Sequence, residues 1–211
     1  MAAERPKQFL ELGGVPIIIR TLRVFEECKS IQEIIVVMAS EHSAEFLSLA
    51  QKQNLTKLAK VVPGGATRAE SVLQGLRAVR EATAQIIAVH DAVRPFVTAE
   101  EIERTVAAAE KDGAAILVSQ PVDTLKEVVD GVVVKTLKRG DLRNALTPQC
   151  FTYRVLRRAY EGVDVLDPDL TDESCIVERL GVKVVTVEGS SRNIKITRPE
   201  DVLFAESLVS S

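Results

Sequence analysis

The segment His90-Asp91-Ala92-Val93-Arg94-Pro95 crowds an imidazole, a carboxylate and a guanidinium into one short turn, directly after the apolar run QIIAV. An aspartate at the C-terminal end of a buried strand is where a nucleotide-handling site holds Mg2+. That ion takes one or two protein carboxylates and fills its shell with phosphate oxygens and waters. Arg94, three residues on, suits an anionic substrate group. The competing reading makes Asp91 a turn or helix cap, and His90 reads as a packed, hydrogen-bonded residue. A second cluster, Pro63-Gly64-Gly65-Ala66-Thr67-Arg68, joins a strand-like run to a helix-like one. Glycines let the backbone approach a ligand, and a helix N-terminus offers unpaired N–H groups. Arg68 and Ser71 fall on one helix face. The G-x-x-x-x-G-K pattern of a P-loop is absent, and an ordinary strand-to-helix turn has the same composition.

Three further clusters carry cations. Lys195 lies between Ile194 and Ile196 and reads as a lysine inside a short apolar strand. An inward-facing lysine is costly unless it meets an anion. Beyond it, Thr197 reads as a helix N-cap with Glu200 at the third helical position and Pro199 in the first turn. Arg5-Pro6-Lys7-Gln8 places Lys7 as a point charge for phosphates, although taken alone it reads as a solvated terminal lysine. Thr124 and Lys126 precede Lys138-Arg139, and lysines and arginines at hairpin edges also serve to block aggregation. No Ser-His-Asp set is readable, and no G-x-G-x-x-G opens a helix after a strand. Lysines, arginines, one placed aspartate and glycine-rich turns suit phosphates and a divalent metal.

These residues need a frame. At 211 residues and 46% hydrophobic, the chain suits one domain with a proper core. A formal net charge of -3 argues against bulk nucleic-acid binding, which draws on a basic surface. No apolar run is long enough to span a membrane, and the N-terminus lacks a signal-peptide pattern. Cys28, Cys150 and Cys175 are odd in number and far apart, which suits a reducing cytoplasm.

Periodicity predicts helices over 15–28, 43–53, 68–80, 153–162, 172–180 and 199–208, with one more starting at a Thr98–Glu101 capping box. Apolar, β-branched runs predict strands over 33–39, 58–62, 85–90, 114–118 and 183–187. Strands alternating with helices imply an α/β fold, a mostly parallel, doubly wound sheet with helices on both faces. The rhythm breaks at TLKEVVDGVVVKTLKR, where Asp130-Gly131 signals a type I′ turn and a projecting β-hairpin.

PKQF, PGG-x-x-RAESV, VHDAVRP, DT-x-K, KR, ALTPQ, TDE and RNIKITRPEDV follow one another in order and spacing. Together they resemble the 2-C-methyl-D-erythritol 4-phosphate cytidylyltransferase family over essentially the whole chain, with its Rossmann-like nucleotidyltransferase fold. The resemblance implies CTP and a polyol phosphate as substrates, and Mg2+ held by Asp91. Lys7 would neutralise the CTP phosphates, and Lys195 would reach the triphosphate and align the incoming phosphate. Gly65, Arg68 and Ser71 would bind the cytidine. Arg94, Thr124 and Thr171 would meet the second substrate. Arg139 would end a β-arm, about 122–145, that swaps into a neighbouring subunit of a homodimer. A cytoplasmic location goes with the family reading.

The chain departs from the family pattern at three places. Ala66 and Lys138 stand where acidic residues are common. Met1 stands where a first strand and a glycine-rich phosphate loop end in the family, which implies weak turnover unless both are supplied. A ribitol-5-phosphate cytidylyltransferase, a sugar-1-phosphate nucleotidylyltransferase and a non-catalytic dimerising remnant are the alternative readings.

Overall fold

The structure, a computed structural model, describes residues 6–209; Arg5 of the first cluster lies outside them. A 3-10 turn, Lys7–Phe9, leads into a small ladder of β1 (Glu11–Leu12) and β2 (Val15–Pro16). There follow α1 (Ile17–Glu27), β3 (Ile34–Met38), α2 (Ser43–Ala50), β4 (Leu58–Pro63), α3 (Arg68–Ala78) and β5 (Ile86–Val89). Next come α4 (Ala99–Asp112), β6 (Ala114–Ser119), β7 (Lys126–Val129), β8 (Val132–Thr136) and β9 (Asn144–Thr152). Last are α5 (Tyr153–Tyr160), α6 (Glu173–Glu178), β10 (Val185–Glu188) and α7 (Pro199–Val209).

Local chemistry explains most of these boundaries. The side chain of Thr98 accepts the Glu101 N–H at 3.2 Å while Glu101 Oε2 accepts the Thr98 N–H at 2.9 Å, so α4 opens on the expected capping box. Asp130 and Gly131 turn the hairpin with φ of 50° and 78°, both positive as a type I′ turn demands. At α7 the cap shifts by one residue from the sequence reading. Asp201, not Glu200, accepts the N–H groups of Thr197 and Arg198, at 2.7 and 2.8 Å. That makes Arg198 the cap and puts Pro199 first in the helix, where its missing N–H costs nothing.

Two sheets form the body, one of β3 and β4 and one in the order β10-β6-β9-β5. β3 and β4 are parallel, as are β6 and β10. β9 runs against both neighbours, so β5 and β6 share a direction. Parallel ladders thus join β3 to β4 and β6 to β10, as expected, while β9 is a reversed strand that the sequence pattern does not show and that makes the larger sheet mixed. One core lies against α1, α2 and α4 and includes Ile18, Phe25, Phe46 and Ile102. A second lies against α3, α5 and α6 and includes Leu76, Phe151, Leu156 and Ile176, and a small third cluster joins Leu12, Ile17, Ile196 and Ala205. Helices on both faces follow from strands that are apolar on both faces.

The expected strand around Lys195 does not form. Residues 193–197 run as loop, tied by the Ile196 N–H to the Val93 carbonyl at 3.0 Å. Ile196 is buried and Lys195 points outward, because a single bond to a loop cannot build a ladder that encloses both faces.

Candidate active site

Asp91 leaves the end of β5, and a chain of hydrogen bonds fixes where it points. Its N–H donates to Thr147 Oγ1 at 3.2 Å, and Thr147 Oγ1 lies 2.9 Å from His90 Nδ1. His90 Nε2 lies 3.1 Å from the Arg94 carbonyl. A carbonyl only accepts, so Nε2 carries the proton and Nδ1 accepts from the Thr147 hydroxyl. The ring also packs against Phe25, with centroids 4.8 Å apart. Burial pushes the imidazole down to about 4, so His90 is neutral near pH 7. It is a brace for the turn, as the sequence suggests, and not a base.

The Asp91 carboxylate meets three cations from three segments. Oδ2 lies 3.1 Å from Lys195 Nζ and 3.3 Å from Arg94 Nε, and Oδ1 lies 3.4 Å from Arg68 Nε. Burial alone would raise its pKa. The charges of Arg68, Lys195 and Arg94 outweigh burial and hold it down at about 2. Arg94 is also tethered, its NH1 group donating to the Asn193 carbonyl at 2.8 Å. It is buried, so it braces the loop more than it faces solvent. Lys195 keeps 41% of its side chain exposed and is the cation most open to a ligand.

Arg68 is held from the other side by Glu173, whose carboxylate oxygens lie 2.7 and 2.8 Å from its NH1 group. Glu173 has no exposed surface, and Tyr160 donates its hydroxyl to it at 3.4 Å. Burial raises the Glu173 carboxyl, with the Arg68 charge opposing. Burial lowers the Arg68 guanidinium, but Glu173 and Asp91 more than offset that, and its net shift is upward. The contact aims Arg68 at Asp91.

The glycine turn is arranged differently from the sequence reading. The Gly65 N–H donates to Ser71 Oγ at 3.0 Å, and the Ala66 N–H donates to Glu70 Oε2 at 2.7 Å. The N-terminal donors of this turn are thus taken by the helix's own side chains. A Cβ on Gly65 would overlap the Glu70 carboxylate, so glycine is needed for that fold-back. Glu70 also puts a carboxylate beside Ala66.

Arg68, Asp91, Arg94 and Lys195 come together, with Ser71 and Gly65 at the foot of the same helix. The remaining candidates stand apart. Lys7 is exposed and makes no ion pair among the described residues. Thr124 is exposed ahead of β7, and Arg139 NH1 donates to the Val122 carbonyl at the base of its own arm, 2.6 Å away. Thr171 is exposed two residues before Glu173. Sequence reasoning passed over Glu173, Thr147 and Asn193. TDE marked the neighbourhood of Glu173, but nothing periodic marks a buried acid. Asn193 is fully buried, donates to the Thr147 carbonyl at 2.9 Å, and leaves its Oδ1 without a partner.

No three His, Cys, Asp or Glu side chains among the described residues converge to cage a metal. Asp91 offers one carboxylate, which fits Mg2+ when phosphate oxygens fill the rest of its shell.

An α/β fold that gathers cations around one carboxylate at its strand ends has the Rossmann-like nucleotidyltransferase architecture. Comparison with known proteins narrows that class. The family model for 2-C-methyl-D-erythritol 4-phosphate cytidylyltransferase matches residues 1–211, and the chain belongs to that family. The enzyme of that name from Bacillus mycoides is 42% identical over 209 residues, covering 99% of this chain and 92% of the relative. The one from Geobacter metallireducens is 42% identical over 213 residues, covering 99% and 91%. The solved 4-diphosphocytidyl-2C-methyl-D-erythritol synthase of Anaerococcus prevotii superposes with a TM-score of 0.87 at 31% identity, covering 95% of this chain and 88% of that one. The Thermus thermophilus cytidylyltransferase gives 0.82 at 30% identity, covering 98% and 95%.

Two measurements check the braces. An unfolded histidine titrates near 6.5, so between that pH and about 4 the unfolded chain binds the extra proton. Stability contributed by neutral His90 is therefore lost as pH falls through this window, by about 3 kcal/mol. Urea unfolding of His90→Gln should lack that component of the slope between pH 7 and pH 4. Glu173→Gln keeps the shape but removes the counter-charge of Arg68, and should cost about 1–3 kcal/mol in the same assay at pH 7.

Proposed function

We propose that this chain transfers a cytidylyl group from CTP to 2-C-methyl-D-erythritol 4-phosphate, feeding the non-mevalonate route to isoprenoid precursors. A phosphate oxygen of the methylerythritol phosphate attacks the α-phosphorus of CTP. The bond from that phosphorus to the β-phosphate bridge breaks, pyrophosphate leaves, and CDP-methylerythritol forms. The nucleophile is already an anion, so no strong base is required. The work is to bring two anions together and to stabilise the charge that builds up in the transition state.

The observation that carries this reading is Asp91 ringed by Arg68, Arg94 and Lys195. Three cations stand against the two carboxylates of Asp91 and Glu173, which leaves a positive surplus for phosphates. Asp91 would hold Mg2+, which supplies Lewis-acid neutralisation of phosphate oxygens when bound. Lys195 is the exposed cation that meets phosphate. Gly65 and Ser71 shape the turn where the cytidine binds, and Lys7 approaches the triphosphate from the N-terminal turn. Arg94, Thr124 and Thr171 serve the polyol phosphate.

The arm supports a homodimer. Val128, Val129, Val132, Val133 and Val134 are each more than half exposed. Branched apolar residues facing water from both strands of an arm are suited to cover by a second copy. In that arrangement Arg139 leaves the Val122 carbonyl and serves the partner's site. The three cysteines are free thiols, in keeping with a cytoplasmic setting, and no described helix is long and apolar enough to cross a membrane.

Pyrophosphate release should follow CTP with 2-C-methyl-D-erythritol 4-phosphate and Mg2+, and Lys195→Ala should lower kcat/KM by about 100-fold or more. Equal turnover with ribitol 5-phosphate would overturn the substrate assignment. Replacing residues 126–136 with a short turn should halve the mass seen by light scattering. An unchanged dimer mass would remove the arm from the interface.

A further inference from the structure

Glu101 does more at the start of α4 than a capping box asks of it. The box needs one side-chain acceptor at the third helical position, and glutamine serves there as well as glutamate. Oε2 fills that need by accepting the Thr98 N–H at 2.9 Å. Oε1 accepts a second N–H at 2.6 Å, from Ser190, 89 residues along the chain. Glu101 is 4% exposed, so both bonds are made away from bulk water. A carboxylate has an acceptor oxygen for each of these donors. An amide has one oxygen and an NH2 group, and could not accept at both places.

The backbone on the other side is shaped to meet that carboxylate. Gly189 extends the β10–β6 ladder by one bond, its N–H donating to the Val118 carbonyl at 2.7 Å. A Cβ there would sit 2.8 Å from the Leu117 side chain and 3.0 Å from Glu101 Oε1. Glycine thus lets the chain pass close over Leu117, and Ser190 arrives against Glu101.

From this point the chain runs as the loop 189–197, which carries Lys195. Three residues pin it, spaced three apart. Ser190 is held by Glu101. Asn193 donates its N–H to the Ser190 carbonyl at 3.1 Å and its side-chain amide to the Thr147 carbonyl at 2.9 Å, and its own carbonyl accepts from Arg94 at 2.8 Å. Ile196 donates its N–H to the Val93 carbonyl at 3.0 Å. The second and third pins belong to the Asp91 turn and its braces. The first anchors the loop to a separate element, α4. Lys195 lies between the second and third pins, its Nζ 3.1 Å from Asp91 Oδ2. A lysine side chain has many rotamers, so where its ammonium stands depends on how firmly its backbone is held.

We propose that Glu101 is a positioning residue for the reaction: its second carboxylate oxygen clasps the root of loop 189–197 and so sets where Lys195 meets phosphate. The inference rests on Lys195 as the cation that meets phosphate. The clasp acts through the backbone, from a side chain that lies outside the cluster around Asp91.

The test compares two variants of the full chain. Glu101→Gln keeps the shape and the Thr98 bond but turns an NH2 group toward the Ser190 N–H. Thr98→Ala is the control. It cuts the other half of the capping box, the Thr98 hydroxyl that accepts the Glu101 N–H at 3.2 Å, and leaves the Ser190 bond in place. Amide hydrogen exchange at residues 190, 193 and 196 should speed at least fivefold in Glu101→Gln and less than fivefold in Thr98→Ala, with α5 unchanged in both. With CTP, 2-C-methyl-D-erythritol 4-phosphate and Mg2+, Glu101→Gln should lower kcat/KM at least threefold in the parent. In a Lys195→Ala background the same change should cost less than threefold, because the group it positions is gone. Exchange that speeds less than fivefold, that Thr98→Ala matches or that rises equally in α5 would overturn the proposal. So would a kcat/KM loss of equal size with and without Lys195, which marks a merely structural cap. Absence of turnover in the parent counts against the substrate reading alone, and the exchange comparison then decides the clasp.

Discussion

One carboxylate makes it possible for three cations to share one small volume. Arg68, Arg94 and Lys195 come from the start of α3, the turn after β5 and the loop before α7, and without Asp91 they would repel. Asp91 is 13% exposed, deep enough for its charge to be weakly screened and shallow enough for a ligand to reach its partners. Its low pKa reports the same balance: burial opposes the charge, and the surrounding cations overcome it. The cluster's charge surplus is what a polyphosphate would neutralise.

The residues that hold this cluster matter as much as those in it. His90 and Thr147 aim the Asp91 backbone, Asn193 tethers Arg94, and Glu173 aims Arg68. None of them needs to touch a substrate. The cluster also spans the seam between the two sheets. Arg68 follows the β3–β4 sheet, while Asp91 and Glu173 belong to the rest. Its ion pairs tie the two at their C-terminal ends, and the Thr67 hydroxyl adds a bond to the Val165 carbonyl at 2.7 Å.

Most elements were legible in the chain. The runs IIVVM and AAILVS are apolar on both faces, and the Thr98–Glu101 pair and Asp130-Gly131 carry their geometry in side-chain chemistry and backbone preference. The strand β9 was not legible. Asn144, Thr147, Pro148 and Gln149 interrupt its pattern, and a proline normally argues against an interior strand. It forms because β5 and β6 lie on either side of it and supply ladders in two directions. Lys195 shows the converse. Its flanking isoleucines look like a strand, but the Ile196 N–H to the Val93 carbonyl is the single backbone bond that residues 194–196 make to another strand or distant loop among the described residues.

The sequence by itself determined the kinds of groups available and roughly where each sits along the alternation of strands and helices. Asp91 after a strand, Arg68 at a helix start and Lys195 near the end of the chain were all marked by residue type and spacing, which are local properties. Tertiary structure decided which of them meet. It joined Arg68, Arg94 and Lys195 on one carboxylate and buried Glu173 behind Arg68. It turned the donors of the glycine turn inward onto Ser71 and Glu70. The physical reason is that charge pairing and burial depend on distances between segments far apart in the chain. Those distances exist only once the buried clusters have packed.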